Sequence, residues 1–179
     1  MIFPYNKLLA LNKDEYMAYN LKDTLVVGIS STSLFDLTEE DLIFHREFKK
    51  DKNSAMKDYR KLMLEREDEK LEPGAGYPLI QSLLTLNDHC SDGAPLVEVV
   101  VMSRNSPETG MRLLNSLRAY GLPISRTMFT GGESVVDYLN AYSVDLFLST
   151  SSSDAQIVAD SEVCATAVLS TPPEDSAPL

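Results

Sequence analysis

The second half of the chain alternates apolar runs with helical patterns, and that rhythm limits the fold more than any other feature. Leu96–Met102, LVEVVVM, reads as a strand; SRNSPETG follows, then a helix through Tyr120 stopped by Gly121. Ile124–Phe129, ISRTMF, is the next strand, followed by TGGES and a helix through Ala141. Val144–Leu148, VDLFL, leads into STSSSDAQ and a short helix to about Asp160, and Cys164–Leu169, CATAVL, is the last strand. Near the front, residues 24–30 form another apolar run, LVVGI preceded by Thr24 and ending at Ser30. Strands that alternate with helices in this way build a parallel sheet covered on both faces. The expected class is α/β, a doubly wound parallel sheet.

The segment between the first strand and Leu96 is different. Thr38-Glu39-Glu40-Asp41 puts acids in a first helical turn, so residues 38–50 are expected to start a helix. Lys52–Lys70 reads as a charged helix, with Met56, Tyr59, Leu62, Met63 and Arg66 at three- and four-residue spacing. Glu72-Pro73-Gly74-Ala75-Gly76 breaks it, and Tyr77–Asn87 is a second helix with Leu79, Ile80, Leu83, Leu84 and Leu86 on its apolar side. A single domain over residues 1–170 is expected. The tail 171–179, rich in Pro, Ser and acid, reads as disordered or as a linker.

Composition excludes some function classes. The 179 residues are 44% hydrophobic, enough for a sizeable core, and carry a net charge of −11. Such a chain repels a phosphate backbone, so nucleic acid is not an expected partner. No apolar run approaches the ~18 residues of a membrane span, and the N-terminus lacks the basic-then-apolar order of a signal peptide. Cys90 and Cys164 form no C-x-x-C pair and read as reduced thiols of a cytoplasmic protein; His45 and His89 have no ligand-like spacing.

In a doubly wound sheet the ligand sits beyond the carboxyl ends of the strands. Those ends are Ser30-Ser31-Thr32, Ser103-Arg104-Asn105-Ser106, Thr130-Gly131-Gly132-Glu133-Ser134 and Ser149-Thr150-Ser151. Apart from Glu133 they are hydroxyls, glycines or amides, with Arg104 as the one cation. Such loops suit a phosphate or polar small molecule held by backbone N–H groups and helix starts. The same residue types also cap helices with no ligand at all. Candidate binding residues are therefore Ser30, Ser31, Thr32, Ser103, Arg104, Asn105, Ser106, Gly131, Gly132, Glu133 and Ser134.

ISSTSLF, PGAGYPLIQSLLTLN, VEVVVMSRNSPETGMRLLNSLRAYGL, MFTGGESVVDYLNAYSVDLFLS and CATAVL together resemble the N-terminal half of the cytosolic 5'-nucleotidase I family, over about residues 20–170. The resemblance implies a haloacid-dehalogenase-like Rossmannoid fold, with residues 36–74 as a small helical cap insertion. It implies a family chemistry in which nucleoside 5'-monophosphates are hydrolysed to nucleoside and phosphate with Mg²⁺. That chemistry needs a D-x-D strand end, a Ser or Thr after the second strand, a Lys before a helix, and an acidic pair for the metal. In the family the D-G-D-x-x-L-F segment is expected in a second, repeated half, beyond Leu179.

Matched on Leu34-Phe35, Ile29 falls at the nucleophile position and Ser31 at the acid/base position. Ser103 keeps the second motif, the lysine position falls near Ser134, and the metal acids fall at about Ser149-Thr150. An aspartyl-phosphate requires an ionised carboxylate, and hydroxyls alone hold Mg²⁺ poorly. No catalytic residue is assigned, and Mg²⁺ is not expected to bind tightly. Phe35-Asp36-Leu37-Thr38 imitates F-D-x-D-x-T, but Thr38 stands at the third position, so Asp36 reads as a turn or capping acid.

Two function classes remain open at this level. One is a non-catalytic scaffold or nucleotide-binding half of a 5'-nucleotidase, partnered by a catalytic half or by a second copy. The other is a free-standing pseudo-phosphatase that binds a nucleotide or another small phosphate.

Overall fold

A computed structural model describes residues 21–40, 42, 52–90 and 95–170. The first strand, β1 (Leu25–Ser30), lies at the centre of a five-stranded parallel sheet. Helix α1 (Ser31–Leu34) is a single turn, and β2 (Phe35–Asp36) follows at once. Helix α2 (Lys52–Glu65), β3 (Glu72–Pro73) and helix α3 (Tyr77–Thr85) complete the segment before the regular alternation. That alternation runs β4 (Val97–Ser103), α4 (Met111–Ala119), β5 (Arg126–Phe129), α5 (Val136–Leu139), β6 (Leu146–Ser149), α6 (Ser152–Asp160) and β7 (Ala165–Val168).

The strand order is β5-β4-β1-β6-β7. The chain leaves β1 toward one edge through β4 and β5, then returns to fill the other side with β6 and β7. β1 and β6 therefore flank the point where the winding reverses. Register is set by the alternation of side chains: Val27 stands beside Val99 and Leu146, and Ile29 beside Val101 and Leu148. Val27, Ile29, Val99, Val101 and Leu148 enter one apolar core with Ile80 and Leu84 of α3 and Leu113 and Leu117 of α4. Val26, Val100 and Met102 enter a second core with Val135, Leu139 of α5, Phe147 and Val158 of α6. Two cores on two faces are what near-continuous apolar strands require.

The expected sheet is present, with adjusted boundaries. The long charged helix ends at Glu65 rather than continuing to Lys70. Its next carbonyls are taken from outside: Asn115 Nδ2 donates to the Glu67 carbonyl at 2.9 Å and Arg112 Nε to the Glu69 carbonyl at 2.8 Å. The helix expected to reach Ala141 is one turn, Val136–Leu139, closed by Val144 N–H on the Leu139 carbonyl at 3.0 Å. β2 and β3 form an antiparallel pair, Phe35 against Pro73 and Asp36 against Glu72. Two-residue strands have no periodicity to read. Thr38–Glu40 is helical, as expected; the rest of the 38–50 helix, apart from Leu42, and the 171–179 tail lie outside the described residues.

The segment between β2 and β3 is closed at its root. Gly74 N–H donates to the Leu34 carbonyl at 2.9 Å and Gly76 N–H to the Ser33 carbonyl at 2.7 Å. Phe35, Tyr77 and Tyr120 stack beside this root, with ring centroids 5.7 Å apart for Phe35 and Tyr120 and 5.2 Å for Tyr77 and Tyr120. Arg112, buried on α4, ion-pairs with the buried Glu40 and contacts Glu69 at 3.8 Å, so one guanidinium holds both sides of the segment.

Candidate functional site

A cleft of about 1140 Å³ opens at the carboxyl ends of the strands. This is somewhat above the roughly 300–1000 Å³ common for small-molecule pockets. Its lining includes Ser30, Ser31 and Thr32 at the end of β1, with Ser103, Arg104, Asn105 and Ser106 at the end of β4. Gly131 and Gly132 after β5 and Ser151 and Asp154 after β6 form further walls. Helix α2 supplies Met56, Lys57, Tyr59 and Arg60 from above, which composition alone did not reveal. Leu37, Met102, Val135 and Phe147 give the cleft an apolar part. A smaller depression of about 380 Å³, lined by Leu21, Lys22, Thr24, Ser143 and Asp145, includes the residues just before β1 and β6 and none of the strand-end loops.

Nine of the eleven candidate residues line the cleft. Glu133 and Ser134 do not. The Glu133 carboxylate accepts from the Tyr138 hydroxyl at 2.9 Å and pushes that phenol's pKa up, while Ser134 Oγ accepts from Val136 N–H at 3.3 Å at the start of α5. Gly131 and Gly132 have φ of +64° and +104°, which side chains disfavour, and the turn they make lets Gly131 N–H reach the Asn105 carbonyl at 3.0 Å.

The hydroxyls bond mainly to one another. Ser31 Oγ donates to Ser103 Oγ at 3.0 Å in a buried contact, and Ser103 Oγ also accepts from Asn105 N–H at 3.2 Å. Ser30 and Ser33 hydroxyls lie 2.6 Å apart, and Ser33 Oγ accepts from Thr150 N–H at 2.7 Å. Ser33 is fully buried and was missed from the sequence; its role is to tie β1 to β6. These bonds join the ends of β4, β1 and β6 through neutral groups. Ile29 is fully buried in the core beneath them and is not part of the cleft wall. The cleft is met one and two residues later, at Ser30 and Ser31.

Charge in the cleft runs against the molecule's excess of acid. Lys57, Arg60 and Arg104 face two carboxylates, Glu108 and Asp154. Arg60 pairs with Glu108 at 2.6 Å and Arg104 with Asp154 at 2.6 Å. Tyr59 OH donates to Asn105 Oδ1 at 3.1 Å, a second link from α2 to the loop after β4. Asp36 is exposed and outside the cleft; its Oδ1 accepts from Thr38 N–H at 2.9 Å, and bonds to Thr38 hold its pKa below the usual carboxylate range.

The donor set does not fit a Mg²⁺ ion. Hard divalent cations want several carboxylate or carbonyl oxygens. Among the described residues no group of three or more His, Cys, Asp or Glu side chains gathers, and Asp154 is already neutralised by Arg104.

Fold and cleft together define a doubly wound α/β protein with a mixed polar and apolar cleft at the carboxyl edge of its sheet, lined by three cations and two carboxylates. A family model described as 5'-nucleotidase matches residues 17–178, and the chain belongs to that family. Human cytosolic 5'-nucleotidase 1B is 30% identical over 139 residues, covering 75% of this chain and 22% of that protein. The chain thus corresponds to less than a quarter of the length of that relative. No solved structure matches it. Among the described residues no helix is long and apolar enough to cross a membrane.

Proposed function

We propose that this chain is a non-catalytic, ligand-binding part of a 5'-nucleotidase, holding a nucleoside 5'-monophosphate or similar small phosphate in the cleft without hydrolysing it. The observation that carries this reading is the hydroxyl network at the end of β1. Matched on Leu34-Phe35, the nucleophile position that phosphoryl transfer to an enzyme carboxylate needs as aspartate falls at Ile29 and the acid/base position at Ser31, and Ser31 is committed to Ser103. A serine hydroxyl without an adjacent base is a poor nucleophile, and among the lining residues there is no His.

Binding, by contrast, is well supplied. The strand-end loops and Arg104 suit a phosphate, and Leu37, Met56 and Tyr59 offer an apolar wall for a base. In this reading residues 36–74 form the cap, and α2 closes the cleft through Tyr59 and Arg60. The setting is cytosolic, as the relative's name has it, and the partner is the remainder of a larger nucleotidase or a second copy.

The test is phosphate release from a panel of nucleoside 5'-monophosphates with Mg²⁺, beside calorimetric titration of the same panel. The expected result is binding without turnover. Turnover by the pure chain overturns the non-catalytic assignment. Absence of both turnover and binding overturns the ligand-binding one and leaves a scaffold.

A further inference from the structure

The ion pair between Arg104 and Asp154 has an unusual position. Arg104 follows β4 directly, and Asp154 sits in the first turn of α6 after β6. β4 and β6 flank β1 on opposite sides. A bond of 2.6 Å between these two side chains therefore links the loops on either side of β1, and both residues line the cleft together with Ser30 and Ser31. Neighbouring strands are about 4.8 Å apart, so this bridge covers two strand spacings. Among the strand-end residues that line the cleft, the positive charge is the Arg104 guanidinium.

We propose that Arg104 does there what a divalent cation does in a metal-dependent phosphohydrolase: it neutralises the bound phosphate, so that ligand binding is metal-independent. Asp154 is then an internal competitor, displaced from Arg104 when phosphate arrives. The proposal rests on the ligand-binding reading above. Two observations carry it. The groups at the β1 end are hydroxyls, and the two carboxylates that line the cleft, Glu108 and Asp154, are each paired with an arginine, which suits an anion better than a cation. The Arg104 side chain is 49% exposed and Asp154 21%, so water reaches the pair and it exchanges partners easily. A planar guanidinium matches the paired oxygens of a phosphate as well as it matches a carboxylate.

The experiment is titration of the full chain with adenosine 5'-monophosphate and with inorganic phosphate, in chelator and again in excess Mg²⁺. Wild type, Arg104→Ala, Arg104→Lys and Asp154→Asn are compared, each first checked for an unchanged thermal transition. Affinity is expected to be the same with and without Mg²⁺. Arg104→Ala is expected to weaken it about tenfold or more, with partial recovery in Arg104→Lys, on the scale of a charge-assisted contact. Asp154→Asn is expected to tighten it by about threefold or more, because the competitor is gone. A requirement for Mg²⁺, or an Arg104→Ala variant that binds like wild type, overturns this inference while leaving the ligand-binding reading standing. An Asp154→Asn variant that binds more weakly overturns the competitor role. Absence of binding in every variant and condition overturns both.

Discussion

Ser103 shows how a single hydroxyl serves both fold and cleft. It is almost fully buried, accepts from the Ser31 hydroxyl at 3.0 Å and from Asn105 N–H at 3.2 Å. Ser103→Ala leaves a buried Ser31 donor without its partner, and the expected cost is about 1–3 kcal/mol, read by denaturant unfolding. Asp36 is the opposite kind of residue, exposed and local. Its bonds to Thr38 lower its pKa, so its contribution is full above the pKa of an unfolded aspartate. That contribution is lost as pH falls through the lower folded value. Asp36→Ala is expected to cost about 0.5–1 kcal/mol at neutral pH and nothing once both states are protonated, a difference that melts across acid pH resolve. Burial and the nearby Asp145 raise the Cys164 thiol's pKa. It is expected to react more slowly than a free cysteine with a disulfide reagent at pH 8, timed by absorbance.

At the scale of elements, the buried Arg112–Glu40 pair is the firmest point in the segment that overhangs the cleft. Arg112 also donates to the Glu69 carbonyl at 2.8 Å, and Leu71 N–H reaches Ser116 Oγ one turn further along α4 at 2.9 Å. Arg112→Ala leaves Glu40, 3% exposed, with the longer Arg66 contact at 3.8 Å as its remaining counter-charge, and the expected loss is about 3 kcal/mol, at the low end for breaking a buried pair. The double variant Arg112→Met, Glu40→Leu is expected to recover most of it. Chemical denaturation of all three chains measures both. The helix limits show what sequence periodicity carries and what it does not. Lys52–Glu65 was legible from its three- and four-residue spacing. Its early end was not, because Arg112 and Asn115, about fifty residues away, claim the next carbonyls. The pairing of β2 with β3 is likewise fixed by the chain returning at Gly74, a tertiary event with no local signature.

For the molecule as a whole, the parallel sheet was legible because buried strands and amphipathic helices carry different periods. Nine of the eleven strand-end residues that the carboxyl-edge rule singles out line the cleft. Glu133 and Ser134 fall outside the cleft lining, and a loop's sequence does not say which of its residues turn inward. The rule also missed Ser33 and the wall contributed by α2: the first looks like any loop serine, and the second depends on how the segment folds back. The strand order has a consequence in time as well as in space. β1 is made first, yet its partners begin at residues 97 and 146. One edge of the central strand stays bare until β4 is made and the other until β6 is made, and closure over such separations is slow. A nascent chain released before residue 144 has β1 paired on one side only. Such a fragment is expected to lack a cooperative thermal transition, and the growing polypeptide is a natural client for chaperones that shield bare strand edges until β6 emerges.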